Sequence, residues 1–167
     1  MFKKTFIAAF IMVLTTAGTA WSQAPRRLDQ FYAWAAYSYR STEDKICYVL
    51  SMPLESLPTT VNHGDNFFLV TKRSNSPISF EPQFMAGYTL KEGSRVIVTV
   101  GDKDFDFFTK DSSAWLASSE LETQLVSAMR AGNKMTVKAI SKRGTHTTYT
   151  YSLKGVTAAL NVARKCH

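Results

Sequence analysis

Apolar and polar residues alternate along most of the chain in short runs separated by turn residues. Alternation with a period of two is typical of β-strands that bury one face. Two hairpins are the clearest, one over 95–107 with its turn at 101–104 and one over 134–153 with its turn at 142–144. The residues predicted to point inward in them are Val96, Val98, Val100, Phe105, Phe107, Met135, Val137, Ala139, Tyr149, Tyr151 and Leu153. The pattern predicts an antiparallel β domain.

Four more strands are predicted, at 31–39, 46–52, 66–72 and 79–85. The third contains an unbroken apolar run from Phe67 to Val70, so we expect a central strand that is buried on both faces. Pro77 and Pro82 lie beside and within the fourth. Because proline has no N–H to donate to a neighbouring strand, we expect this strand at an edge of the sheet.

Two short helices complete the pattern. The first is predicted to begin at Ser119, with Glu122 completing a capping box, and to end at Gly132. The second is predicted over about 156–165, and Cys166 follows on its apolar face. The fold class is therefore mainly β, a single-domain antiparallel β-sandwich or barrel with two short α-helices.

The N-terminal segment has the pattern of an export signal. Lys3 and Lys4 precede an apolar run over 6–14, which is too short to cross a bilayer as a helix. Small residues follow at 17–20, and we predict cleavage near Ala20. The mature protein is therefore expected in the periplasm or outside the cell.

Cleavage would divide the chain into a signal peptide at 1–20, a flexible basic arm at 21–30 and one β domain at 31–167. The full chain has 20 Lys and Arg against 13 Asp and Glu, and the loss of two lysines with the leader leaves a net charge of +5. This moderate charge favours anionic surfaces, whereas export excludes a nucleic-acid partner. We expect no transmembrane segment after processing.

The two cysteines of the chain are Cys47, in a predicted strand, and Cys166, beside the last helix. A small even number of cysteines in an exported protein is usually paired. We predict one disulfide between them, which would enclose roughly 120 residues and restrain the unfolded chain by about 5 kcal/mol.

Several separate stretches of the sequence carry a family resemblance. They are Trp34, Cys47-Tyr48, Asn62-His63-Gly64-Asp65, 67–71, Gly87-Tyr88, 91–94, 107–110, Ala114-Trp115, Ala128-Met129, Gly132, 141–145, 151–155, 157–159 and Cys166. In this order the chain resembles the invasion-associated locus B family of bacterial envelope proteins, from Trp34 to Cys166. The resemblance implies an exported envelope protein with the Cys47–Cys166 bridge. The family's name associates it with entry into host cells, but the family brings no established reaction and no catalytic residues.

No residue pattern indicates catalysis, a metal or a cofactor. The sequence lacks a G-x-S-x-G nucleophile motif, a C-x-x-C pair and an H-x-x-x-H pair. We interpret His63 and the nearby Asp65 as a solvated or turn-bound pair. Asp102, Asp104 and Asp106 are interpreted as a solvated turn, because the distal glutamate and the glycine of a calcium loop are missing. We expect no enzyme and no cofactor, with an uncharacterised hydrolase as a remote alternative.

The second hairpin offers a candidate binding surface. Lys134 and Lys138 share the outward face of its first strand, and Lys142 and Arg143 occupy its turn. We hypothesise that these four residues meet an anionic envelope surface, either lipid or lipopolysaccharide, or an acidic partner. The alternative is an ordinary solvated strand face that discourages edge pairing.

Aromatic residues offer a second candidate surface. Tyr37 and Tyr39 alternate on one face of the first predicted strand of the domain, and Trp115 is expected in a loop after the first hairpin. They are interpreted either as a cover over the core or as a platform for a protein partner. The sequence thus predicts a non-enzymatic exported protein that binds or stabilises envelope components, with a periplasmic adaptor as the alternative.

Overall fold

A computed structural model of the protein describes residues 24–40, 45–72 and 80–166. The predicted signal peptide at 1–20 lies outside these ranges, as do the turn at 41–44, Pro77 and His167. The elements are β1 (Arg26–Phe31), β2 (Trp34–Arg40), β3 (Lys45–Ser51), β4 (Glu55–Leu57), β5 (Phe67–Lys72), β6 (Phe80–Met85), β7 (Arg95–Val100), β8 (Lys103–Lys110), β9 (Ser113–Trp115), α1 (Ser119–Ala131), β10 (Lys134–Ile140), β11 (His146–Ser152) and α2 (Val156–Lys165).

The strands of the described ranges form one antiparallel sheet in the order β1-β2-β3-β5-β6-β9-β8-β7-β10-β11-β4. The sheet curls over its own core. Phe68 in β5 packs on Tyr151 in β11 with ring centroids 5.9 Å apart, although five strands lie between them in the pairing order. The predicted class, mainly β and antiparallel with two helices, is confirmed, and a single wrapped sheet provides both walls of the core.

Period-two alternation located the core correctly in both hairpins. Val96, Val98 and Phe107 are buried in the β7–β8 hairpin, and Val137 and Tyr149 are buried in the β10–β11 hairpin. Each strand therefore turns one face inward, as the apolar pattern requires.

Both predicted helices are present, and α2 has the predicted bounds. The predicted capping box of α1 is wrong by one residue, because Ser118 is the N-cap. Its backbone is extended (φ −146°, ψ 150°) and its Oγ accepts the Leu121 N–H at 3.4 Å. Ser119 is therefore already in the first helical turn. At the other end, the Gly132 N–H donates to the Ala128 carbonyl at 2.8 Å.

Two predictions for the middle strands are corrected. β5 is not buried on both faces, since Phe68 and Val70 are fully buried but Phe67 and Leu69 are half-buried on the other face. β6 is an interior strand between β5 and β9 rather than an edge strand. β9 pairs with it only from Gln83 to Met85, so Pro82 lies beyond the paired stretch.

Two further segments are strands where the sequence predicted irregular chain. The arm expected at 21–30 includes β1, which pairs with β2 and is exposed along nearly all its length. Trp115, expected in a loop, lies in β9 opposite Gln83 and Phe108. Both strands are short or exposed, so they bury too few apolar residues to show a clear period-two pattern.

The predicted disulfide joins Cys47 in β3 to Cys166 at the end of α2, with an S–S distance of 2.04 Å and a Cα–Cα distance of 6.2 Å. Ala159, Leu160 and Ala163 are the buried face of α2, which packs over β2 and β3. The bridge therefore holds the last helix on the first part of the sheet. No helix in the described ranges is long and apolar enough to span a membrane.

Candidate functional site

A cleft of about 210 Å³ opens beside the β10–β11 turn. Its walls come from three parts of the chain that are distant in sequence: the loop at 61–63, residues 88–89, and the turn at 141–145 with Thr147. None of the described residues that line the cleft carries a carboxylate. Lys142 and Arg143, both exposed, contribute the positive charge of its wall.

Two glycines hold the first two walls in close contact. Gly64 adopts φ +60°, a left-handed conformation that glycine reaches without strain. A Cβ on Gly87 would lie 2.5 Å from both the Asp65 nitrogen and the His63 carbonyl oxygen, so the loops can approach this closely only with glycine there.

Asn66 locks the same crossing. Its side chain is buried, and its amide donates to the carbonyl oxygens of His63 and Gly64, both at 3.1 Å. Its side-chain oxygen accepts the Gly87 N–H at 3.2 Å. The loop that carries His63 is therefore fixed against the segment that carries Tyr88.

A chain of hydrogen bonds runs behind the cleft. His63 Nδ1 lies 2.8 Å from the Tyr149 hydroxyl, which lies 3.1 Å from the Tyr88 hydroxyl. The Tyr88 hydroxyl lies 2.6 Å from Thr147 Oγ1, and this oxygen donates to the Ala139 carbonyl at 3.3 Å. The chain connects the loop wall to β10 and fixes the side chains that form the back of the cleft.

His63 has a partner at each ring nitrogen. Nε2 lies 2.9 Å from the Pro58 carbonyl, which can only accept, so Nε2 carries a hydrogen. Nδ1 lies 2.8 Å from the Tyr149 hydroxyl. The partner of this histidine is thus Tyr149 rather than Asp65, which is exposed. Among the described residues no group of three His, Cys, Asp or Glu side chains is placed to hold a metal ion.

Two tyrosine hydroxyls of β11 have different surroundings. Burial, with the hydrogen bond that Tyr149 donates to Tyr88, raises the pKa of Tyr149 well above its ordinary value. Burial, with the nearby Tyr149 and Tyr88, also raises the pKa of Tyr151 well above the ordinary value. The Tyr151 hydroxyl is buried and has no hydrogen-bond partner within the described part of the chain. Both tyrosines therefore remain protonated in the folded protein.

The structure divides the predicted basic surface in two. Lys134 and Lys138 are exposed on the outer face of β10, as predicted. They are roughly 13 Å apart along the strand, at 3.3 Å per residue. Acidic side chains flank them on that face. Asp104 accepts a hydrogen bond from Thr99, and Glu55 accepts one from Thr150.

Lys142 and Arg143 lie apart from these carboxylates, in the turn beside the cleft. The eight residue steps from Lys134 to Lys142 span roughly 26 Å of extended chain. The four residues are therefore not one cluster, and the turn pair is the part that adjoins a cavity.

The predicted aromatic residues are half-buried on the outer face of the sheet. Tyr37 stacks on Tyr48 with centroids 5.4 Å apart, and Tyr39 meets the same ring edge-on at 6.3 Å. Trp115 packs against Phe108 at 5.9 Å. Neither partner ring was predicted, although Tyr48 alternates with the buried Cys47 and Val49 of its strand and so faces outward.

Strand register places the two aromatic groups on one face. Tyr37 pairs with Tyr48, which pairs with Thr71. Leu69 lies two residues before Thr71 and so on the same face of β5. Leu69 pairs with Gln83, which pairs with Trp115. Four strand spacings of about 4.8 Å separate Tyr37 from Trp115, or roughly 19 Å. The structure does not bring the predicted platform together as one contact cluster.

Tyr88 and Tyr149 were not predicted as members of a site. Alternation marked Tyr149 as inward-facing, which is confirmed, but a pattern in one strand says nothing of a partner on a distant loop. Tyr88 lies outside any strand. Its place within a stretch that carries the family resemblance was the one available signal.

A family model described as Invasion associated locus B (IalB) protein matches residues 34–164. A crystal structure of invasion associated protein b from Bartonella henselae is similar to this chain with a TM-score of 0.62 and 11% sequence identity. The match covers 84% of this chain and 95% of that one, and at this identity it shows the fold alone. No curated protein sequence matches the chain. Because the family model spans most of the chain, the protein belongs to the invasion-associated locus B family.

Proposed function

We propose that the protein is exported and works in the bacterial cell envelope as a non-enzymatic binding protein, and that its cleft meets an anionic envelope component. The leader pattern at 1–20 supports export, and the two paired cysteines are typical of an oxidising compartment. Family membership supports an envelope location.

The single observation that carries the binding proposal is the cleft with its cationic turn. Four of the stretches on which the family resemblance rests meet in or beside it: Asn62 to Asp65, Gly87-Tyr88, 91–94 and 141–145. The Lys91 N–H donates to the Ile140 carbonyl at 2.9 Å, which joins the third of these stretches to the end of β10. Stretches that are scattered in the sequence thus build one place on the surface.

The geometry favours the turn over the strand face as the contact with an anionic surface. Each charge near an anionic membrane is worth roughly 1 kcal/mol. Lys142 and Arg143 supply this beside a cleft without acidic lining, whereas Lys134 and Lys138 share their face with Asp104 and Glu55. A catalytic role has no support here, since both ring nitrogens of His63 are engaged by the protein itself.

The aromatic face supports a second candidate, an adaptor that docks a protein partner through Tyr37, Tyr39 and Trp115. The stacking of Tyr37 on Tyr48 favours it, because stacked aromatic rings on a strand face give contact area with little entropy left to lose. Docking of this kind would tolerate salt, whereas charge-driven binding weakens as salt screens it over a Debye length of about 8 Å.

Envelope fractionation across a salt series tests the proposal, with the mature protein followed by immunoblot. The native protein is expected to sediment with membranes at low salt and to wash off at high salt. The double variant Lys142→Gln with Arg143→Gln should stay soluble, and the matched control Lys134→Gln with Lys138→Gln should sediment almost as the native protein does. A protein that stays soluble at every salt concentration would refute the binding of an anionic surface.

A further inference from the structure

We infer that the cleft beside the β10–β11 turn binds a phosphate group, carried by a lipid headgroup or by a soluble phosphorylated molecule. The inference deepens the proposed function and rests on it, because it names the chemistry of the anionic component.

The charge of the cleft selects an anion. Within the part of the chain that the structure describes, its lining contains Lys142 and Arg143 and no carboxylate. The planar guanidinium of arginine offers paired N–H groups that match two phosphate oxygens, and the lysine ammonium adds a compact charge with three donors. A positively charged ligand would be repelled at the same place.

Hydrogen bonds fix the backbone of the turn that carries these two side chains. The Ser141 N–H donates to the Thr145 carbonyl at 2.9 Å, and the Gly144 N–H donates to the Ser141 carbonyl at 2.8 Å. The Lys142 N–H donates to the Thr89 carbonyl at 2.8 Å, which fastens the turn to the opposite wall. A rigid site loses little conformational entropy when a ligand binds.

Two uncharged polar side chains of the lining, Ser141 and Asn62, are arranged to donate. Ser141 Oγ accepts the Thr145 N–H at 3.1 Å, so the hydroxyl hydrogen of Ser141 can be donated to a ligand. The Asn62 side-chain oxygen accepts the Gly64 N–H at 2.9 Å, so the side-chain NH₂ of Asn62 can donate to a ligand. The Tyr88 hydroxyl is bound on both sides by Thr147 and Tyr149 and offers only its ring.

This set of donors fits phosphate better than the other common anions or a neutral sugar. A phosphate monoester presents three terminal oxygens that accept only, and the cleft offers donors from four side chains on two walls. A carboxylate has two such oxygens, and a neutral sugar needs acceptors as well as donors. The volume of 210 Å³ equals that of about seven waters at roughly 30 Å³ each, enough for a phosphate with one attached ring or short chain.

Calorimetric titration of the purified mature protein, with its disulfide intact, tests the inference at constant ionic strength. The probes are inorganic phosphate and glycerol 3-phosphate, with chloride as the reference salt. We expect saturable binding of both phosphates. The double variant Lys142→Gln with Arg143→Gln should raise Kd by at least about tenfold, because two charge-assisted contacts are lost.

The matched control is Lys134→Gln with Lys138→Gln, which removes the same charge from the strand face and should change Kd by less than about twofold, since those residues do not line the cleft. Equal melting temperatures of the two double variants would show that both are folded. Absence of saturable phosphate binding, or equal losses in the two double variants, would overturn the inference.

Vesicles distinguish the two sources of the phosphate. If a lipid headgroup is the ligand, vesicles that contain phosphatidic acid should sediment the protein, and glycerol 3-phosphate should release it. If the ligand is soluble, glycerol 3-phosphate should bind while the vesicles leave the protein in solution.

The two proposals can fail separately. Salt-sensitive envelope association without phosphate binding would refute the phosphate site and leave the proposed function standing. Phosphate binding by a protein that stays soluble at every salt concentration would refute the proposed envelope association and leave the phosphate site standing. The titration uses purified protein, so its result does not depend on where the protein is located in the cell.

Discussion

The Trp34 indole N–H donates to the Ser152 carbonyl oxygen at 2.9 Å, across 118 residues of sequence. Trp34 is fully buried at the start of β2, and Ser152 ends β11 just before α2. The bond therefore joins β2, in the first part of the curled sheet, directly to the end of β11, whereas the disulfide joins β3 to the end of α2.

Replacement of Trp34 by Phe should lower the free energy of unfolding by about 2 kcal/mol or more, because the Ser152 carbonyl loses its partner and the core loses volume. Urea unfolding measures this. Trp115→Phe is the matched control, since Trp115 is only half-buried, and a loss of less than about 1 kcal/mol is expected there. Equal losses at the two positions would contradict the role given to the Trp34 bond.

Two buried tyrosines of β11 should respond in opposite ways to removal of the hydroxyl. Tyr149→Phe should destabilise the protein by about 1–2 kcal/mol, because His63 Nδ1 and the Tyr88 hydroxyl each lose a partner. Tyr151→Phe should be neutral or stabilising by up to about 1 kcal/mol, because its buried hydroxyl has no partner within the described residues. Thermal and urea unfolding of the pair would settle the point, and a destabilised Tyr151→Phe variant would be the contrary result.

Stability should fall as the pH rises above about 10, the ordinary tyrosine pKa. Burial raises the pKa of Tyr149 and Tyr151 in the folded state, so above that pH the unfolded chain releases protons that the folded chain keeps. Each such group lowers the free energy of unfolding by up to roughly 1.4 kcal/mol per pH unit. Urea unfolding at pH 9, 10 and 11 should show this slope, and the double variant Tyr149→Phe with Tyr151→Phe should reduce it. An unchanged slope in the double variant would assign the effect to other groups.

Gly87→Ala should disrupt the cleft, because the new Cβ would lie 2.5 Å from backbone atoms of Asp65 and His63. We expect a loss of about 2 kcal/mol or more in stability, together with weaker phosphate binding. Gly93→Ala is the control. Its Cβ would meet nothing within 4 Å, so only the strain of its left-handed backbone, roughly 1 kcal/mol, should appear. Similar losses for the two variants would refute the steric argument.

Cys166→Ser should lower stability by about 2–5 kcal/mol, since the bridge to Cys47 restrains the unfolded chain over a sequence separation of 119 residues. Melting with and without reductant measures the effect. The native protein in reductant should melt close to the oxidised variant, and reductant should leave the variant unchanged. A native protein that melts at the same temperature in both conditions would show that the bridge contributes nothing.

Local patterns predicted the parts of this fold that depend on local packing. The inward residues of both hairpins and the bounds of α2 followed from periodicity, because a strand or helix that buries one face must repeat apolar residues at its own period. The position of β6 did not follow, because it depends on β9, which begins only after the β7–β8 hairpin. The residues around Pro82 give no sign of β9. Because β9 is short and pairs with β6 only from Gln83 to Met85, Pro82 is not required to donate a hydrogen bond to it.

The cleft could be predicted only in fragments. His63, Tyr88 and Lys142 come from three separate stretches, and no spacing rule connects them. Alternation did place Lys134 and Lys138 outward, but Glu55 and Asp104 enter that face through pairing with other strands. The distinction between a basic turn beside a cleft and a mixed-charge strand face therefore required the sheet.

The position of the two cysteines has a consequence for the synthesis of the protein. Cys47 lies in β3, and its partner follows α2, so the chain must be made through its last helix before the bridge can close. Until then Cys47 is a lone thiol. Since the sequence has two cysteines, any wrong pairing must join two molecules. The amount of covalent dimer on a non-reducing gel would therefore measure how many chains were oxidised before Cys166 was available to Cys47.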